Sequence, residues 1–188
     1  MRFLLLLMCW LPLTINAASV IKSVVTHDEE TDRYSLVADI LVDAAFPAVY
    51  NILTDYKNLS QLSELITEST VIQQYNDNHY RIRLISHSCV LFFCSDIVRT
   101  QDITHSPDGI VDAVIVPELS NFKSAHSRWI LNAQGDKTLI HYETESVPDF
   151  WVPPLIGPYF FKSAMQEAAV DLAEGIERRA HELSPNEK

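Results

Sequence analysis

His126, His141, Glu143 and Glu145 lie close together in the chain and combine zinc-type ligands with carboxylates suited to proton transfer. Register argues against both uses. If Gly135-Asp136 is a two-residue turn, Arg128 faces Glu143 and His126 faces Glu145 on one side of a hairpin. On the other side Trp129 faces Tyr142 and Leu131 faces Ile140. One face then carries complementary charges and the other is apolar. The His/Glu group is therefore expected to be solvated cross-strand pairing, with no metal site. For an interior acid/base pair the sequence offers only Glu118, His126, Arg128 and Tyr142. It contains no Cys/His ligand spacing, nucleophile elbow, phosphate loop or dinucleotide fingerprint, and it implies no cofactor.

Cys89 and Cys94 are the second chemical feature. In a straight strand their Cα atoms would stand about 16 Å apart at ~3.3 Å per residue, and a bridge tolerates no more than ~7 Å. A disulfide therefore requires the chain to reverse between them, which makes Val90-Leu91-Phe92-Phe93 the tip of a hairpin. The same reversal sets His87 opposite Asp96 and Arg81 opposite Asp102. We expect the bond. It closes a short loop and should stabilise by only about 2 kcal/mol, so its role is to fix the shape of an apolar tip.

The start of the chain supplies the oxidising address such a bond needs. Met1-Arg2 is a positive start, Phe3 to Ile15 is an apolar run of 13 residues, and Asn16-Ala17-Ala18-Ser19 offers small residues for cleavage. A spanning helix needs about 20 apolar residues, so the run is read as a cleavable signal peptide. Residues 1–18 are assigned to it, residues 19–183 to one domain and residues 184–188 to a disordered tail. The protein is expected to be periplasmic or secreted, where disulfides persist. Its 14 Lys+Arg against 25 Asp+Glu give a net charge of −11, which excludes a nucleic-acid footprint.

The remaining chain reads as strands and helices. Tyr34, Leu36, Ala38, Ile40 and Val42 alternate with polar neighbours as in a half-buried strand. Phe46, Val49, Leu53 and Tyr56 recur at helical spacing behind Pro47, and Leu59, Leu62 and Leu65 suggest a second short helix. Strands are expected near 70–75, 79–88, 95–104, 110–118, 125–132 and 138–146. After Pro153-Pro154 a helix runs to about Leu183, with Phe161, Met165, Ala168, Leu172, Ile176 and Leu183 as its apolar stripe.

Leu41-Val42-Asp43-Ala44 leading into Phe46-Pro47-Ala48-Val49-Tyr50-Asn51-Ile52-Leu53-Thr54-Asp55-Tyr56 resembles the opening of the START-like (SRPBCC) superfamily, in its polyketide cyclase and coenzyme Q-binding branch. Trp129, Gly135-Asp136-Lys137-Thr138, Tyr142, Pro148 and Pro153-Pro154 continue the likeness, which covers about residues 25–183. It implies an α+β helix-grip fold: a curved antiparallel sheet of about seven strands wrapped on a long C-terminal helix, with two short helices after the first strand. It also implies a cavity between sheet and helix for apolar molecules. The candidates to line it are Phe122, Trp129, Tyr142, Trp151, Phe160, Phe161 and Met165. Phe150-Trp151-Val152-Pro153-Pro154-Leu155-Ile156 is an apolar loop, read as a lid, a plug, or a transient contact with a membrane or envelope protein. The function expected is non-catalytic binding of a hydrophobic small molecule or lipid. A cyclase or dehydratase using the same cavity, and an envelope interaction module with a vestigial one, are its rivals.

Overall fold

The computed structural model describes residues 19–90, 93–152 and 157–183. In chain order these form β1 (Ser19–Asp28), β2 (Arg33–Val42), α1 (Phe46–Thr54), a 3-10 turn (Leu59–Gln61), β3 (Ile66–Asn76) and β4 (His79–Val90). There follow β5 (Phe93–Ser106), β6 (Ile110–Ile115), a second 3-10 turn (Pro117–Leu119), β7 (Phe122–Gln134), β8 (Lys137–Pro148) and α2 (Gly157–Leu183). The strands make one antiparallel sheet in the order β1-β2-β8-β7-β6-β5-β4-β3. The expected signal peptide at 1–18, the tail at 184–188, the tip residues Leu91 and Phe92, and residues 153–156 lie outside the described residues.

Both hairpin registers read from the sequence are present. Gly135, at φ +68°, turns β7 into β8, and Arg128 pairs with Glu143, His126 with Glu145, Trp129 with Tyr142 and Leu131 with Ile140. Along β4 and β5, Arg81 pairs with Asp102, His87 with Asp96 and Cys89 with Cys94. β2 alternates between buried and half-buried at every position, as its period-two pattern requires.

Three expectations need correction. The sheet has eight strands rather than about seven, because Ser19–Asp28 folds back along β2. The second short helix is a three-residue 3-10 turn, Leu59–Gln61. The stripe of α2 is rotated at two places. Ala169, Ala173, Ile176 and Ala180 are buried, while Ala168 is exposed and Leu183 is 58% exposed. Alanines let this half of α2 lie close to β1, β2 and α1, its chief neighbours, so small residues take the places where bulkier ones were expected.

The closest approach is at Gly175, where an added Cβ would stand 1.6 Å from the Leu62 carbonyl oxygen. Nearby, the buried Glu177 carboxylate accepts the Asp43 N–H at 3.1 Å, and His181 Nε2 donates to the Asp43 carbonyl at 3.1 Å. Thr138 Oγ1 donates to the Ala44 carbonyl at 2.7 Å. The C-terminal half of α2 is thus clamped to the turn between β2 and α1.

Buried apolar side chains fall into three clusters rather than one. The first joins Leu36, Ile40, Val49 and Ile140 to Ala173 and Ile176 of α2. The second holds Tyr56, Ile82, Ile103, Val111 and Ala113, and the third Ile115, Phe122 and Ala125. Trp129 packs against both the first and the second, and Phe161 reaches the third from α2.

Candidate ligand-binding site

Antiparallel pairing sets directly opposite residues on the same face, so Ile82 and Leu84 of β4 share a face with Gln101 and Arg99 of β5. Ile82 and Ile103 belong to the second core cluster, which identifies that face as the inner one. Arg99 therefore points inward. Its guanidinium carbon lies 5.1 Å from the centre of the buried Phe122 ring, and its buried Nε has no hydrogen-bond partner among the described residues. A cation over an aromatic face gains from the ring quadrupole, yet a buried donor left without an acceptor costs about 1–3 kcal/mol. Arg99 is a cationic donor held on an apolar inner surface with hydrogen-bonding capacity to spare.

A run of rings crosses the fold beside it. His27 stacks on Tyr34 at 4.2 Å, Tyr34 meets Phe161 at 4.3 Å, Phe161 meets Phe150 at 6.1 Å, and Phe150 meets Phe122 edge-on at 6.0 Å. Burial raises the Tyr34 phenol above its ordinary pKa. Trp129 stacks on Tyr142 at 3.9 Å. Deeper in the same face, Ser127 and Thr144 satisfy each other at 2.8 Å.

Of the seven candidates, Phe122 and Phe161 sit in one cluster, Trp129 and Tyr142 form a stacked pair, and half-buried Met165 packs against the first cluster. Phe160 is half-buried and its ring meets that of Tyr159 edge-on at 5.6 Å. Trp151 does not join them: it is 77% exposed, because the chain leaving Phe150 carries it to the surface. The suppliers weighed for an interior acid/base pair do not converge. His126 and Arg128 lie on the outer face and Glu118 is exposed, which leaves Tyr142 alone inside. Arg99 escaped the sequence reading, although parity exposed it: with Asp102 paired outward to Arg81, Arg99 must face inward.

The outer face carries the charges, with partners drawn from both flanking strands. Glu145 binds Arg33 of β2 at 2.7 Å, and His126 lies 3.3 Å from Asp112 of β6. Arg81 and Asp102 form a two-pronged pair at 2.8 and 2.7 Å, which holds the Asp102 carboxyl below its ordinary pKa. His141 lies 2.6 Å from Asp39 and 3.1 Å from Glu143. The Asp39 hydrogen bond, then that of Glu143, raises its pKa above 6.5. A raised folded pKa means stabilisation that is fully present below pH 6.5 and lost as pH rises through the folded value. His141→Gln should therefore lose most against the wild type in mild acid and converge with it in base. Urea unfolding from about pH 5 to 9 reads this, and a pH-independent difference would show that the pair contributes nothing.

A second histidine behaves oppositely. His105 Nδ1 accepts from the Tyr56 hydroxyl at 2.6 Å, with Tyr50 and Tyr80 rings at 6.0 and 5.8 Å. Burial pulls the His105 pKa down and pushes the Tyr56 phenol well up. Both shifts disfavour charge on a hydrogen bond set among aromatic rings.

Two recesses stand out among the described residues, and neither is enclosed between the sheet and α2. One of about 310 Å³ lies along Gln166, Glu167, Val170, Asp171 and Glu174 on the solvent side of α2. The other, about 170 Å³, lies between α1 and the end of α2, along Asn51, Ile52, Asp55, Leu62 and Arg179. Neither is the interior space that the resemblance led one to expect.

No family profile and no curated protein sequence matches the chain. Solved structures do. A START superfamily protein from Mycobacterium smegmatis superposes with a TM-score of 0.65 at 19% identity, over 80% of this chain and 99% of that one. The Zhui aromatase/cyclase of a Streptomyces species gives 0.67 at 10% identity, over 82% and 98%. A STAR-related lipid transfer protein fragment from Xanthomonas axonopodis gives 0.58 at 15%, over 89% and 98%. At such identities the likeness is one of fold. With the eight-stranded antiparallel sheet and its long terminal helix, it shows that this chain has the START-like helix-grip fold.

Proposed function

We propose that this protein binds, without transforming, a hydrophobic small molecule or lipid whose one polar group is an acid or a carbonyl, held between the sheet and α2. The observation that carries the reading is Arg99, an inward-facing cation with an unpartnered buried Nε beside Phe122. An apolar pocket with one well-placed polar group is the usual form of such a site. The first and second core clusters, bridged by Trp129 and Leu59, and the separate third support space between them, and the structures named as lipid transfer and START proteins support the ligand class.

Native mass spectrometry of the purified protein, with extraction of whatever it carries, tests the reading. The wild type should retain an apolar acid or carbonyl compound. Arg99→Met, which keeps the length and apolar stem, should weaken retention on the order of tenfold to a hundredfold. A wild type that arrives empty and takes up no fatty acid probe would reject the proposal.

We also propose that the chain is exported, with residues 1–18 removed, and that Cys89 bonds Cys94. The opposed register of Cys89 and Cys94 across β4 and β5 supports the bond. Exported protein should begin between Ala18 and Val20 and show no reactive thiol when denatured without reductant. A retained Met1, or two labelled thiols, would refute the corresponding half. The apolar segment at residues 150–156 is proposed to touch the membrane transiently during loading, which the exposed Trp151 and Tyr159 support.

A further inference from the structure

The two edges of the sheet are finished differently. Along its pairing with β4, β3 carries irregularities between Ile66 and Glu68, Val71 and Gln73, and Gln74 and Asn76. Such irregularities bend an edge and spoil it as a template for another strand. β1 has one, between Val20 and Lys22, and from Lys22 to Asp28 it follows β2 residue for residue. Along that stretch no strand among the described residues lies on its outer side. Lys22, Val24, Thr26 and Asp28 are exposed, while Ser23, Val25 and His27 alternate with them on the half-buried inner face.

Two of the inner positions hold polar atoms that no described residue satisfies. Ser23 Oγ and His27 Nε2 are buried and make no hydrogen bond among the described residues. Asp32 Oδ1 lies 3.7 Å from His27 Nε2, beyond hydrogen-bonding distance.

We propose that β1 is a dimerisation edge, pairing antiparallel with β1 of a second copy of this chain about a twofold axis at Val25. A twofold axis makes every contact occur twice. In this register Lys22 stands opposite the partner's Asp28 at both ends of the ladder, and Val24 stands opposite the partner's Thr26. On the inner face each Ser23 stands opposite the partner's His27, at a cross-strand Cβ spacing of about 5 Å, which brings the two unsatisfied atoms within reach of each other. Asp28 is suited to its part. Its carboxylate accepts the Glu30 N–H and the Thr31 hydroxyl, each at 2.9 Å, which holds its pKa down and keeps it charged, with lone pairs left for a lysine. Neighbouring registers lose the match. An axis at Val24 sets Asp28 against the partner's Val20, and an axis at Thr26 sets it against the partner's Val24.

Sedimentation of the purified chain across the micromolar range should show a dimer. Lys22→Asp turns both end contacts repulsive and should raise the dimer dissociation constant on the order of tenfold. Single-cysteine additions test the register directly. Under mild oxidation, Val24→Cys mixed with Thr26→Cys should cross-link as a heterodimer, while either variant alone should not, because like positions stand diagonal. A chain that stays monomeric, a dimer indifferent to Lys22→Asp, or a Val24→Cys variant that cross-links alone as well as the mixture does, would each overturn the proposal.

Discussion

Gly175→Ala should destabilise the fold by about 3 kcal/mol, although alanine is the better helix former. Two effects oppose each other. Removing glycine from a helix interior gains about 1 kcal/mol. Against it, the new Cβ would lie 1.6 Å from the Leu62 oxygen, 2.5 Å from its carbonyl carbon and 2.9 Å from its Cα. All three are backbone atoms, so no rotamer change relieves the overlap. The turn cannot withdraw cheaply either, because the Leu62 side chain is only 2% exposed and Arg178 donates to the adjoining Gln61 carbonyl at 3.3 Å. The clash wins. Urea unfolding should show a lower midpoint with an unchanged slope, and a variant as stable as the wild type would mean that the helix can lift off without loss.

Trp129→Ala should cost a similar amount, about 3 kcal/mol, and should also impair retention of the bound molecule. The ring is stacked on Tyr142 at 3.9 Å and, together with Leu59, packs against both the first and the second core cluster. Removing it leaves Leu59 to join the two clusters and opens a cavity next to the proposed site. Trp129→Phe keeps part of the stacking and should recover roughly half of the stability. A loss below about 1 kcal/mol for the alanine variant would mean that the ring faces empty space and that Leu59 suffices to join the clusters.

What could be read in the sequence follows from how each element is stabilised. The β4–β5 and β7–β8 hairpins were legible because one face is apolar, the other is charged, and a one-residue slip would exchange them. β1 was not. As an edge strand its Lys22, Val24 and Thr26 face solvent, and the irregularity at Val20 breaks the alternation that marks a strand. β3 extends beyond its expected limits for the same reason, since three irregularities scatter its apolar residues. On α2, hydrophobicity alone favoured Leu183 over Ala180, yet close packing rewards the smaller residue. The aromatic candidates were found because large rings seek the interior, and Trp151 shows the limit of that rule. Arg99 was passed over because a charge was assumed to face water, although the Arg81–Asp102 register already assigned its side.

The place of β2 in the sheet constrains the order in which the molecule can assemble. β2 lies between β1 and β8, and its Asp39 meets His141 from 102 positions away in the chain. Closing a loop of that length precedes any reward from the contact, so this pairing belongs to the slow, non-local class of folding event. A chain that emerges N-terminus first releases β1 and β2 long before β8 exists. Until β8 arrives, the edge of β2 that will bind it stands open, and α1 lacks the helix that clamps it. The last hairpin and α2 therefore act together as the closing step of assembly. A chain that stops short of β8 would hold a ready-made β1–β2 hairpin with an unfilled inner edge, and aggregation through that edge is its expected fate.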